Sequence, residues 1–201
     1  MRDVLGVILA GGLSRRMGGE EKSLMTLHGS TTIERVKSRL SSQIDDIVIN
    51  ANGDAERFSH LNLPVVADTV EGFVGPLAGV LAGMRWAAEN SKHTHIITAA
   101  ADTPFFPEDY AMRMKEAETQ IVLASSNGRR HPVFGLWPIS LADALEHFLV
   151  VEENRKVMLF VERYSNSIVE FPNAENGDDQ FFNVNTPDDM QVAEKIATGE
   201  K

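Results

Sequence analysis

The chain has 201 residues, 43% hydrophobic and 24% charged, with 19 Lys and Arg against 29 Asp and Glu. That length suits a single domain able to bury about 70% of the surface an unfolded chain exposes. Cysteine is absent, which excludes disulfides, zinc fingers, iron–sulfur clusters and a thiol nucleophile, while the formal net charge of −10 argues against general binding to nucleic acid or an anionic membrane.

The first element is a short apolar run over residues 4–10, ending in Gly11-Gly12, as expected of a buried strand followed by a tight turn. A polar, glycine-rich loop occupies residues 11–22. Helical spacing over residues 31–40 places Ile33, Val36 and Leu40 on one face. Residues 47–49 form the next strand and end at the turn cluster Asn50-Ala51-Asn52-Gly53. A short strand at 64–67 stops at Asp68. Gly75-Pro76 precedes a helix over about 77–89, in which Gly79 and Gly83 mark a face that something approaches closely. Strand 95–100 ends at Asp102-Thr103-Pro104, and a helix over about 107–118 follows. Strands at 121–124 and 133–137 come next, then a helix at 140–149. A short helix at 157–161, a strand near 168–171, an acidic loop at 173–179 and an extended segment at 181–185 lead into a last helix from Pro187.

Apolar runs alternating with helical patterns give an α/β fold with a mainly parallel sheet and helices on both faces. In such sheets ligands lie outside the carboxyl ends of the strands. Gly11-Gly12, Asn50, Asp68 and Asp102 all fall there. Strand-end Asn and Asp also make turns and caps, so their convergence is the signal rather than any one of them. No apolar run reaches the ~20 residues of a membrane-spanning helix. The N-terminus has no signal-peptide pattern, so a cytoplasmic protein is expected.

Charge is unevenly spread: residues 1–40 sum to +3 and the rest to −13. Much of the positive charge lies in Leu9-Ala10-Gly11-Gly12-Leu13-Ser14-Arg15-Arg16-Met17-Gly18-Gly19-Glu20-Glu21-Lys22. Glycines free backbone N–H groups to approach phosphate oxygens, and Arg and Lys neutralise them. The segment is neither a dinucleotide fingerprint, lacking G-x-G-x-x-G, nor a Walker A loop, since Arg16 stands at the leading glycine and Glu21 precedes Lys22-Ser23. The six histidines show no H-x-x-x-H arrangement, which gives a zinc site little support. Ser14 and Ser23 lack an evident base. Arg129-Arg130-His131 reads as a solvated loop charge cluster, with the alternative that, preceding the strand at 132–137, it borders the site.

The opening loop resembles that of nucleotidyltransferases with a Rossmann-like sheet, and within them the molybdenum cofactor guanylyltransferases. Val48-Ile49-Asn50-Ala51-Asn52, Gly75-Pro76-Leu77-Ala78-Gly79, Asp102-Thr103-Pro104 and Asn183-Val184-Asn185-Thr186-Pro187 agree with that family. The resemblance thus spans residues 9–188. It implies a three-layer Rossmann-like fold, with a nucleotide-binding half over about 1–105 and an acceptor-binding half over about 106–201.

The resemblance further implies that GMP passes from GTP to molybdopterin or molybdenum cofactor, releasing pyrophosphate. Asp102 would hold Mg²⁺. Lys22 would neutralise the departing pyrophosphate, with Arg15 and Arg16 on neighbouring phosphates. Leu9, Ala10, Gly11 and Gly12 would border base and ribose, Asn50 and Asp68 would contact the nucleotide, and Gly79 would leave room for guanine. Tight helix–sheet packing explains Gly79 nearly as well. Arg16, Gly19, Asn183, Asn185 and the basic pair Arg155-Lys156 would face the acceptor, either of that pair matching the family's basic residue. Thr186 to Asp189 also reads as a helix cap. Contact with cofactor-biosynthesis proteins or molybdoenzyme chaperones is an expectation of the same kind. The competing readings are a related transferase using CTP or a sugar phosphate, and a non-catalytic GTP-binding adapter.

Overall fold

The structure is a computed structural model and describes residues 3–11, 22–72 and 75–199. Nine strands and six α-helices are described: β1 (Val4–Leu9), β2 (Thr26–Leu27), β3 (Ser30–Thr31), α1 (Thr32–Ser41), β4 (Ile47–Asn50), β5 (Val65–Val66), α2 (Pro76–Asn90), β6 (His95–Ala100), α3 (Tyr110–Glu116), β7 (Ile121–Ser126), β8 (Arg129–Pro138), α4 (Ala142–Val150), α5 (Val157–Val161), β9 (Asn166–Phe171) and α6 (Pro187–Thr198).

Seven strands form one sheet in the order β5-β4-β1-β6-β8-β7-β9. β8 alone runs against its neighbours β6 and β7; the other pairs are parallel. The chain starts at β1, adds β4 and β5 on one side, and then returns to place β6 on the other. The order therefore reverses at β1, the crevice where such sheets bind ligands.

Strand alternation builds two cores, one on each face. Val4 and Ile8 of β1 pack with Ile33, Val36 and Leu40 of α1 and Tyr110 and Met114 of α3. Leu5 and Val7 face the opposite way, towards Leu77, Val80, Leu81 and Met84 of α2 and Leu145 and Phe148 of α4. A third, small cluster of Leu27, Val184 and Ala193 fastens α6 to the β2–β3 hairpin. The expected α/β sheet with helices on both faces is what the chain forms.

The sheet splays at its middle. β6 and β8 pair through His95↔Pro138, Ile96↔Trp137 and Ile97↔Leu136. Past that point the Thr98 hydroxyl takes over, accepting from Gly135 N–H at 3.1 Å and Trp137 Nε1 at 3.2 Å and donating to the Val133 carbonyl at 2.6 Å. Across β8 the pairing with β7 jumps from Leu123↔Gly135 to Ala124↔His131. Pro132, which has no N–H to give a ladder, lies inside this irregularity. The kink re-aims His131, a usual effect of such bulges.

Three expectations need correcting. The helix expected from 107 begins at Tyr110, because the Pro107 carbonyl accepts the Tyr110 N–H and closes a turn first. The strand expected from 133 starts at Arg129. Residues 181–185 join no ladder; their backbone is held by Asp179 and Asp102 instead.

Candidate active site

The ends of four adjacent strands meet at one edge, and hydrogen bonds lock them in step. Ala10 N–H donates to the Asn50 carbonyl at 2.9 Å, and Ala101 N–H donates to the Leu9 carbonyl at 3.1 Å. Ala51 N–H donates to the Val66 carbonyl at 3.0 Å. Leu9, Ala10, Gly11, Asn50, Asp68 and Asp102 are thereby gathered along one rim, as the strand-end pattern in the sequence suggests. Gly12, Arg15, Arg16 and Gly19 lie outside the described residues. Lys22 opens a short 3₁₀ turn, Lys22–Leu24, anchored where the Thr32 hydroxyl donates to the Ser23 carbonyl at 2.9 Å.

On the β4–β5 side the amide of Asn50 is only 2% exposed. Its Nδ2 donates to Asp68 Oδ1 at 2.9 Å and to the Val66 carbonyl at 3.2 Å. Asn52 grips the same carboxylate from the other side: its Nδ2 donates to Asp68 Oδ2 at 2.8 Å, and its Oδ1 accepts the Asp68 N–H at 2.9 Å. Arg57 fixes this turn by donating to the Asn52 carbonyl at 2.7 Å. Asp68 is thus an oriented carboxylate rather than a loose turn residue.

Gly79 lies in the first turns of α2, directly over this amide. A methyl group on it would collide with Asn50 Oδ1 and lie 2.7 Å from Leu9 Cδ2. The helix can sit this close to the strand ends only because the position has no side chain. Tight helix–strand packing therefore accounts for the glycine, and its effect on the site is to leave Asn50 its place.

On the β6 side Asp102 is half-buried and follows Ala99, Ala100 and Ala101, whose small side chains leave the rim low. Its carbonyl accepts the Val184 N–H at 2.8 Å. The Thr103 hydroxyl lies 3.2 Å from both Asp102 Oδ1 and Asn183 Oδ1, and its single proton serves one of them at a time. The segment carrying Asn183 and Asn185 is therefore tied to the loop carrying Asp102. Val184, between the two amides, is fully buried, while Asn183 is exposed and Asn185 half-exposed.

The expected cap at Thr186 is also present. Thr186 Oγ1 accepts Asp189 N–H at 3.1 Å, and Asp189 Oδ2 accepts the N–H groups of Thr186 at 2.8 Å and Asn185 at 2.9 Å. Arg155 and Lys156 are exposed at the start of α5. Arg155 Nη2 approaches the Gly72 carbonyl at 3.4 Å, which leans it towards the loop after β5.

Asn52 and Thr103 were not singled out as site residues by the sequence, and His131 only as one of a charged loop cluster with bordering the site as its alternative reading. Asn52 carried a signal, since residues two apart on an extended chain share a side. His131 carried a misleading one: its neighbours Arg129 and Arg130 are exposed, but it is itself only 8% exposed.

No group of three or more His, Cys, Asp or Glu able to hold a metal occurs among the described residues. A single half-buried carboxylate side chain, that of Asp102, fits a hard cation held chiefly by phosphate oxygens and water, the usual habit of Mg²⁺. No described helix is long and apolar enough to cross a membrane.

The family described as MobA-like NTP transferase domain matches residues 6–167. A molybdenum cofactor guanylyltransferase of Mesorhizobium japonicum is 50% identical over 97% of this chain and 96% of its own. One from a Bradyrhizobium species is 45% identical over 98% and 94%. Among solved structures, molybdopterin-guanine dinucleotide biosynthesis protein A of Archaeoglobus fulgidus superposes with a TM-score of 0.75 at 27% identity, over 98% of this chain and 99% of that one. A 4-diphosphocytidyl-2C-methyl-D-erythritol synthase from Anaerococcus prevotii, 14% identical over 98% and 96% with a TM-score of 0.75, shares the fold. A nucleotide-type rim at the sheet's reversal point, with these matches along almost the entire chain, means that the protein belongs to the MobA-like NTP transferase family and, within it, to the molybdenum cofactor guanylyltransferases.

Proposed function

We propose that the chain transfers GMP from GTP to molybdopterin or molybdenum cofactor, giving molybdopterin guanine dinucleotide and pyrophosphate. The observation that carries this reading is the joining of two surfaces: the rim of Gly11, Asn50, Asp68 and Asp102 is tied, through Asp102 and Thr103, to the segment bearing Asn183 and Asn185. Residues up to about 105 would serve the nucleotide, and residues from about 106 the acceptor.

In this reading a phosphate oxygen of the acceptor attacks the α-phosphorus of GTP in line. A P–O bond forms there, and the bond to the bridging oxygen of the β-phosphate breaks. A phosphate monoester is already largely ionised near pH 7, so no general base is required. Catalysis then rests on alignment and charge neutralisation. Leu9, Ala10, Gly11 and Gly12 would border the base and ribose, and Asn50 with Asp68 would take nucleotide hydroxyl or ring N–H groups. Gly79 would act by giving Asn50 its room. Lys22 would neutralise the leaving pyrophosphate, with Arg15 and Arg16 on adjacent phosphates.

Asp102 would hold Mg²⁺, which would supply positive charge to offset the negative charge developing on the phosphates. Arg16, Gly19, Arg155, Lys156, Asn183 and Asn185 would face the acceptor. Amides pair well with a pterin edge, which offers both donors and acceptors. The reading carries with it a cytoplasmic location and transient contact with cofactor-biosynthesis proteins or molybdoenzyme chaperones.

The test is pyrophosphate release on mixing the protein with Mg²⁺, molybdopterin and each labelled nucleotide in turn. Release with GTP alone supports the proposal. Release with CTP, or GTP binding without turnover, overturns it.

A further inference from the structure

His131 lies at the kink of β8, on the same edge of the sheet as the rim, and is buried although Arg129 and Arg130 before it are exposed. Its ring stacks on Phe181 with centroids 4.4 Å apart and planes 11° from parallel. Its Nε2 is 2.7 Å from the Ser126 hydroxyl, which is 3.1 Å from Asp179 Oδ1. The arrangement that leaves no proton idle has Nε2–H donating to Ser126 and the hydroxyl donating to the carboxylate. Asp179 Oδ1 also accepts the Phe181 N–H at 2.9 Å, and the Asp179 carbonyl accepts the Phe182 N–H at 3.1 Å.

All of these contacts except the His131–Ser126 bond itself end on residues 179–182, and the next residue is Asn183. Two anchors therefore hold one short segment. At its far end Val184 and Asn183 are bonded to Asp102 and Thr103. At its near end the carboxylate and ring are bonded to Ser126 and His131. Apolar packing also seats the segment, Phe181 against Phe134 and Phe171, and Val184 against Leu27 and Ala193, but it is the directional polar contacts that fix a side chain as closely as in-line transfer requires.

We propose that His131 is a positioning residue for acceptor recognition: acting through Ser126, Asp179 and the Phe181 ring, it sets where Asn183 stands relative to Asp102. The chain His131–Ser126–Asp179 is no hydrolytic triad, because the hydroxyl lies between base and carboxylate and is buried. It is a brace. The inference rests on the reading of Asn183 as an acceptor contact.

The experiment measures KM for molybdopterin, kcat, and equilibrium affinity for a GTP analogue in the wild type and in His131→Ala, Ser126→Ala and Asn183→Ala. Ser126→Ala deletes one oxygen and carries the test if His131→Ala fails to fold. Both brace variants are expected to raise KM for molybdopterin about tenfold, with GTP affinity changed by less than about twofold. His131→Phe, which keeps a ring on Phe181 but loses the donor, should fall between them and the wild type. An unchanged KM in a folded Ser126→Ala protein, alongside a raised KM in Asn183→Ala, overturns the brace alone. An unchanged KM in Asn183→Ala overturns the acceptor reading and the brace with it. Equal loss of GTP affinity and acceptor use in the brace variants makes the cluster merely structural and also overturns it.

Discussion

Asn52 and Asp68 are joined by a reciprocal pair of hydrogen bonds, amide to carboxylate at 2.8 Å and backbone N–H to amide oxygen at 2.9 Å. With Asn50 on the other carboxylate oxygen, Asp68 has its orientation set before any ligand arrives. Replacing Asn52 with Ala removes two of these bonds, each worth about 1 kcal/mol net. The expected result is roughly five- to tenfold weaker binding of a GTP analogue by calorimetry, with KM for the acceptor unchanged. Undiminished nucleotide affinity would remove Asp68 from the nucleotide site.

Asp102 and Lys22 carry the transfer in the proposed mechanism. Asp102→Ala should abolish pyrophosphate release, and Lys22→Ala should reduce it severely, both with wild-type circular dichroism. Chelating Mg²⁺ should stop turnover reversibly. Wild-type rates in either variant, or turnover surviving chelation, would refute those roles.

Gly79→Ala tests the crowding around Asn50. The added methyl must push against a buried amide and against Leu9, an overpacking that costs about 1–3 kcal/mol. A lowered melting temperature together with weaker nucleotide binding is expected. A variant as stable as the wild type would show that α2 can move off the strand ends.

Capping and recognition separate at the start of α6. Thr186→Ala loses the N-cap bond, at about 1 kcal/mol, and should lower stability while leaving GTP affinity untouched. Asn185→Ala should weaken acceptor use more than GTP binding, as read from paired KM values. Equal loss of both would move Asn185 out of the acceptor site.

Burial pushes the His131 imidazole below its ordinary value of 6.5; Asp179 and Glu170 pull it back up, while Arg129 pushes it further down. The unfolded chain therefore takes up this proton at a higher pH than the folded one. Between the two values the unfolded state binds more protons, so stability falls as pH drops below about 6.5 and is fully present above it. Melting curves from about pH 7.5 to about pH 5 should decline less steeply for His131→Phe than for the wild type. Parallel curves would show that the ring is not shielded from water.

Strands with both faces covered left the plainest mark in the sequence. Residues 95–100 and 157–161 were bounded to the residue, the first because its apolar run coincides with burial and the second because Phe160 and Val161 close a short helical run against the core. The β2–β3 hairpin was not legible: each strand has two residues, and its turn depends on His28 and Gly29 at positive φ. The start of β8 was hidden because Arg129 and Arg130 face water, so the hydrophobic pattern begins only after Pro132. In the site, Asn50, Asp68 and Asp102 stood out as polar residues closing apolar runs. Thr103 and His131 act through partners 80 and 50 residues away, Asn183 and Phe181, and no local pattern encodes such pairings.

The bond from His28 N–H to Glu194 Oε1, at 2.9 Å, joins positions 166 apart in the chain. Together with the cluster of Leu27, Val184 and Ala193, it means that the hairpin, held on one side by Arg35 of α1 donating to the Leu27 and His28 carbonyls, completes its seat against the last helix. On the ribosome, the sheet's first strands can assemble early, but this corner must wait until α6 has emerged. Competence would then arrive late in synthesis, and a transcript truncated before α6 would leave a product with its open sheet begun and its catalytic mouth unbuttressed.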